Sequence, residues 1–151
     1  MDAIQSRLEE IVRSVREHII TSSDTPWFVD RTTLKNACHI GVRDTYTSVQ
    51  DYIQKGILEG DSSTPRILRL RMSDGTHFVV DYHGYTIDPT ITQYFPNATR
   101  FVFRPDEKYP IKFTAPPEDV TDWILPQWQI LQTFNEDASL INYNLKVPSS
   151  L

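Results

Sequence analysis

One cysteine, four histidines and a scatter of carboxylates are the groups in this 151-residue chain whose chemistry could open an acyl bond. A thiol becomes a strong nucleophile when it ionises, and a helix N-terminus and a neighbouring imidazolium both favour the thiolate. The imidazole in turn needs a polar group behind it to fix its tautomer and orientation. Cys38 is the only thiol, and the stretch that follows it has helical spacing. Of the histidines, His18 reads as a partly solvated group near the end of a first helix. His39 adjoins Cys38, and helix neighbours diverge by about 100° and do not face each other. His77 and His83 remain, at the two ends of the strand-like run His77-Phe-Val-Val-Asp-Tyr-His83.

If His83-Gly84 makes a two-residue turn, Tyr82 pairs with Tyr85, Val80 with Ile87 and Val79 with Asp88, so that His77, Val79 and Asp88 share one face. Asp88 is then the diagonal neighbour of His77, at ~7–8 Å between Cα atoms and within side-chain reach. Asp81 lies on the same face but about 13 Å along the strand. A one-residue slip would turn Asp88 to the other face, so the assignment depends on the turn. The residues therefore nominate Cys38 as nucleophile, His77 as base and Asp88 as the group that orients the base, with His83 as the alternative base. Each has a plainer reading: a lone helix cysteine as a small buried apolar residue, His77 as a partner for backbone near Gly75, and Asp88-Pro89-Thr90 as a turn. The ordered set is harder to explain that way than any one member.

The elements that must position these groups can be read from periodicity. Ile4, Leu8, Ile11, Val12, Val15 and Ile19 recur at helical spacing, with Glu9, Glu10, Arg13, Arg16 and Glu17 mostly on the opposite face. A second helix is expected from about Asn36 to Lys55, with Cys38 in its first turn and Gly56 as its C-terminal cap. From Ile67 the period changes to two, and Ser73-Asp74-Gly75 and Gly84 mark the turns of an antiparallel meander. Further extended runs are expected at Arg100–Arg104 and Ile111–Phe113. Val120–Phe134 has partly helical spacing, with Pro126 ending or kinking a turn, and Val147–Leu151 reads as a loose tail. Helices first and sheet afterwards predict one α+β domain over residues 1–151, with a C-terminal extension of short strands or turns. Trp27, Trp123 and Trp128 read as core or groove lining.

Cysteine at the start of a helix, a hairpin whose second strand opens with histidine, and an aspartate on the next strand resemble the papain-like and transglutaminase-like cysteine enzymes. The most telling stretch is His77-Phe-Val-Val-Asp-Tyr-His-Gly-Tyr-Thr-Ile-Asp88-Pro89-Thr90. The resemblance covers about residues 30–95 and implies a papain-like α+β core with a Cys38-His77-Asp88 triad. Asn36, Ala37 and His39 are not the Gly and Trp neighbours of typical papain-type proteases, and no glutamine stands between Trp27 and Ala37 to complete an oxyanion hole. The resemblance thus implies acyl chemistry more than proteolysis. Small members of the superfamily include bacterial effectors and toxins that deamidate a protein glutamine. That is the expected activity, on a protein substrate and with no metal or organic cofactor. A peptidase, an acyltransferase or a non-catalytic binding module on the same fold are the alternatives.

Composition narrows the partners. A formal charge of -5 repels a phosphate backbone, and nucleic acid is not an expected partner. Arg66, Arg69 and Arg71 read as a solvated strand face. A single cysteine allows no internal disulfide and no cysteine-rich zinc site. No apolar run approaches the ~18 residues of a membrane span, and the N-terminus has no secretory pattern. The chain therefore reads as made in the cytosol, with export as an effector requiring a route that reads no cleavable signal.

Overall fold

The computed structural model describes residues 2–133, which form an α+β fold of three helices and a five-stranded antiparallel sheet. Helix α1 (Ala3–Thr21) begins where the Asp2 carboxylate accepts the Gln5 N–H at 2.6 Å, an N-cap that satisfies one of the helix's free donors. Its apolar stripe, Leu8, Ile11, Val12, Val15 and Ile19, is buried as the spacing predicts. Glu9 departs from that reading, because it is only 2% exposed. Its Oε1 accepts the Phe101 and Val102 N–H groups at 3.1 Å, while Gln5 Nε2 donates to the Val102 carbonyl. Polar side chains of α1 thus pair the outer edge of the sheet, which would otherwise offer unpaired backbone. Among the described residues no helix is long and apolar enough to cross a membrane.

Helix α2 (Cys38–Gln54) starts on Cys38 itself, two residues later than the periodicity suggested. The turn before it is tightly wound: Leu34 and Asn36 have φ of 62° and 71°, and the Asn36 amide holds the Phe28 carbonyl at 3.1 Å. Asn tolerates this left-handed region better than most side chains, and the fully buried Leu34 is held there by packing. At the other end Gly56, with φ of 75°, follows the C-cap Lys55 as expected.

Strands β1 (Pro65–Met72), β2 (Gly75–Tyr82), β3 (Tyr85–Ile87), β4 (Val102–Phe103) and β5 (Glu118–Asp119) are ordered β4-β3-β2-β1-β5. His83 and Gly84 both have positive φ, 48° and 87°, as a two-residue hairpin turn demands. The register follows from that turn, with Tyr82 opposite Tyr85 and Val80 opposite Ile87.

Four expectations are corrected. Ile111–Phe113 is not a strand; Glu118–Asp119 takes the edge instead, beside β1. The reason is electrostatic, because Glu118 pairs with Arg69 and, at 3.0 Å, with Arg71. The arginines are therefore not a simply solvated face: Arg69 is buried, and Arg66 bonds Asp81 at 3.1 Å. The chain then forms helix α3 (Thr121–Thr133), which agrees with the partly helical spacing there but not with an extension of short strands or turns, and Pro126 lies inside it. Trp27 is 84% exposed, neither core nor groove, whereas Trp128 is buried. The tail at Val147–Leu151 lies outside the described residues.

One contact fixes the distance between α2 and the residues after β3. A Cβ on Gly41 would stand 2.9 Å from Thr90 Cγ2 and 3.2 Å from Pro89 Cγ, so the helix can approach this close only with glycine. Gly41→Val is expected to destabilise the fold by ~1–3 kcal/mol through overpacking and to separate Cys38 from His77. Thermal melts together with thiol alkylation rates check both parts.

Candidate active site

Helix α2 presents Cys38 at its first residue, β2 carries His77, and Asp88 follows directly on β3. The structure brings all three together. Cys38 Sγ is 3.6 Å from His77 Nδ1, and His77 Nε2 is 2.9 Å from both Asp88 oxygens. The two buried members are wholly shielded, with His77 and Asp88 both 0% exposed, while Cys38 remains partly open to solvent. Such an arrangement closes the back of the base to solvent and leaves Cys38 as the partly exposed member of the three.

The sulfur has further support. The Phe78 N–H points at Sγ from 3.4 Å, and a thiol proton can in turn reach the Phe78 carbonyl at 3.7 Å. Ala37, the N-cap residue, has no side chain able to cap the first turn of α2. The first N–H groups of that turn are therefore available near the sulfur, at the positive end of the helix dipole.

Asp88 is saturated with donors. Beyond His77, Oδ1 accepts the Thr90 N–H at 3.3 Å, and Oδ2 accepts the Tyr109 hydroxyl at 2.5 Å. Its backbone N–H donates to the Phe101 carbonyl at 2.8 Å, and this fastens the residue to the strand beyond β3. Burial pushes the Tyr109 phenol up, and the neighbouring Asp88 charge pushes it further, so it stays a hydroxyl donor at working pH. Tyr94 stands edge-on to the His77 ring with centroids 5.1 Å apart, its own phenol raised to about 12 by burial and then by the Cys38 and Asp88 charges. Gln93 Nε2 lies 3.3 Å from His77 Nδ1 and 3.1 Å from Thr90 Oγ1.

Neither Tyr109, Tyr94 nor Gln93 was nominated by sequence. Tyr109 sits in the Pro-rich stretch between β4 and β5, and Gln93 ends the 3-10 turn Ile91–Gln93. The only local signal was the three-residue spacing from Thr90 to Gln93, one turn of such a helix. The other histidines stand elsewhere. His83 occupies the hairpin turn against the Tyr82 ring, and His39 packs on Phe78 with its pKa lowered by burial and then by Arg43. Among the described residues no group of three or more His, Cys, Asp and Glu side chains could hold a metal ion.

Burial by itself depresses the proton affinity of His77. The Asp88 charge, the Cys38 sulfur and the hydrogen bonds to both outweigh it, and the pKa is raised to about 10. The raised folded-state value means that protonated His77 stabilises the fold fully below the unfolded pKa, ~6.5, and that this contribution is lost as pH rises toward about 10. Melting temperature measured across that window is expected to fall more steeply for the native protein than for His77→Gln, in which the group is absent.

The chain matches no protein-family model, no curated protein and no solved structure.

Proposed function

We propose that this protein is a cysteine-dependent amide hydrolase of papain-like arrangement, with Cys38 as nucleophile, His77 as base and then acid, and Asp88 as the group that orients His77. The observation that carries this reading is the continuous line Cys38–His77–Asp88, joined at 3.6 Å and 2.9 Å, with the imidazole buried and the cysteine residue partly exposed. Elevated proton affinity at His77 suits the ring to take the thiol proton and hold it for the leaving group, and the thiolate so formed is the reactive nucleophile.

The chemistry then runs in two balanced halves. The thiolate attacks a carboxamide carbon, the C=O π pair moves to oxygen, and the tetrahedral intermediate collapses as His77 Nδ1–H protonates the leaving nitrogen. Ammonia departs and a thioester remains. Water, giving its proton to His77, attacks the thioester and releases a carboxylic acid and Cys38. The preferred substrate is a glutamine side chain on a protein. The formal charge of -5 favours a partner that presents basic residues around that glutamine.

Incubation with a mixed proteome, followed by intact and peptide mass measurement, tests the reaction. Deamidation adds about one dalton at one glutamine and leaves the chain whole, because an –NH2 is replaced by –OH. Cleaved chains would indicate a peptidase, larger mass additions an acyltransferase. An unchanged proteome, with Cys38→Ala indistinguishable from the native protein, would support the binding module.

A further inference from the structure

We propose that Gln93 is also a catalytic residue: its side-chain N–H receives the acyl oxygen of the substrate as negative charge develops there, opposite the Cys38 backbone N–H. This rests on the thiol-hydrolase reading and supplies the second oxyanion donor that reading lacks.

The His77 ring nitrogen that faces the sulfur is also the one that faces Gln93, at 3.6 Å and 3.3 Å respectively. An imidazole nitrogen has one in-plane position for a hydrogen bond, either a lone pair or an N–H. While Nδ1 is bare it accepts the Gln93 N–H. Once Nδ1 carries the proton and donates it to the thiolate, the Gln93 N–H confronts another donor and is left without that partner. The Thr90 hydroxyl still holds the amide at 3.1 Å. A donor is thus set free beside the nucleophile in the protonation state that attacks.

Position and access agree with this role. Sγ and the Gln93 amide nitrogen flank one atom at those two distances and so stand no more than about 7 Å apart. An acyl carbon attacked at ~3–3.5 Å from the sulfur brings its oxygen into that interval, where a donor at ~2.7–3.1 Å is needed. Cys38 and Gln93 are both half-buried, whereas His77 and Asp88 are closed to solvent, so an incoming carbonyl meets these two side chains. The backbone that bears Gln93 is fastened from three sides. Its N–H bonds the Thr90 carbonyl at 3.1 Å, Thr92 Oγ1 donates to the Thr33 carbonyl at 2.8 Å, and Arg16 donates to the Pro89 carbonyl at 2.7 Å. Pre-set donors of this kind act without reorganising during the reaction.

Two reactions of the same thiol separate this role from mere support of the thiolate. In acylation by p-nitrophenyl acetate the Sγ–C bond forms as the carbonyl π pair moves to oxygen, and p-nitrophenolate then leaves. In alkylation by iodoacetamide Sγ displaces iodide at a saturated carbon and no oxyanion forms. Gln93→Ala and Gln93→Met, the second similar in size but without the N–H, are expected to slow acylation by about 10- to 10³-fold while alkylation holds or rises. If acylation is unchanged, or both reactions fall together, Gln93 is not an oxyanion donor. A native thiol no faster than free cysteine in either reaction overturns the hydrolase reading itself, and the role of Gln93 with it.

Discussion

Replacing Cys38 or His77 by alanine is expected to lower amide hydrolysis by about 10⁴-fold or more, and the double variant should be no worse than either single one. The two side chains form one unit across the 3.6 Å contact, so losing either leaves no thiolate-imidazolium pair. Circular dichroism should show the fold retained in Cys38→Ala, because the cysteine side chain is partly exposed and only borders the core. His77→Ala carries a stability cost as well, since it opens a cavity at a fully buried position and leaves the Asp88 carboxylate without one of its donors. Losses that multiply in the double variant would mean that the residues act independently.

Asp88→Ala is the second large effect, with activity falling by about 10²- to 10⁴-fold yet remaining above Cys38→Ala. Three donors lose their acceptor at once: His77 Nε2, the Thr90 N–H and the Tyr109 hydroxyl. Leaving a buried donor unpaired costs ~1–3 kcal/mol, so the melting temperature should drop too. The sign of the pH effect follows from the charge removed. The Asp88 carboxylate raises the His77 pKa, so its loss moves the alkaline limb of the kcat/KM profile to lower pH. Tyr109→Phe gives the matching control: it removes one donor and keeps the carboxylate, so the alkaline limb should stay high while the rate falls modestly.

Much of this arrangement was legible because one hairpin sets it. His83-Gly84 defines the turn, the turn defines which residues oppose each other, and His77 and Asp88 fall on one face as a consequence. Cys38 was placed by its helical period, although the helix starts on it rather than before it. The groups that escaped notice come from segments positioned by tertiary contacts. Gln93 depends on a turn tied to α1 through Arg16, and Tyr109 on a stretch whose prolines break any period. β5 escaped for a related reason: Glu118–Asp119 has no apolar alternation, and salt bridges from β1 recruit it. Glu9 was read as solvated because a helical wheel has no means of showing that the free N–H groups of Phe101 and Val102 would meet it.

The pairing of Cys38 with His77 is tested most directly by the rate of iodoacetamide alkylation against pH in the native protein and in His77→Ala, with intact mass confirming a single adduct on the only thiol. In the native protein alkylation should already be fast near pH 6 and change little up to about pH 10, where His77 loses its proton. In His77→Ala it should be slow near pH 6 and rise toward the midpoint of an unassisted thiol, ~8.5, because removing a positive partner destabilises the thiolate. Coincident curves, both with the midpoint of a free cysteine, would contradict the pairing and leave the fold as a binding module.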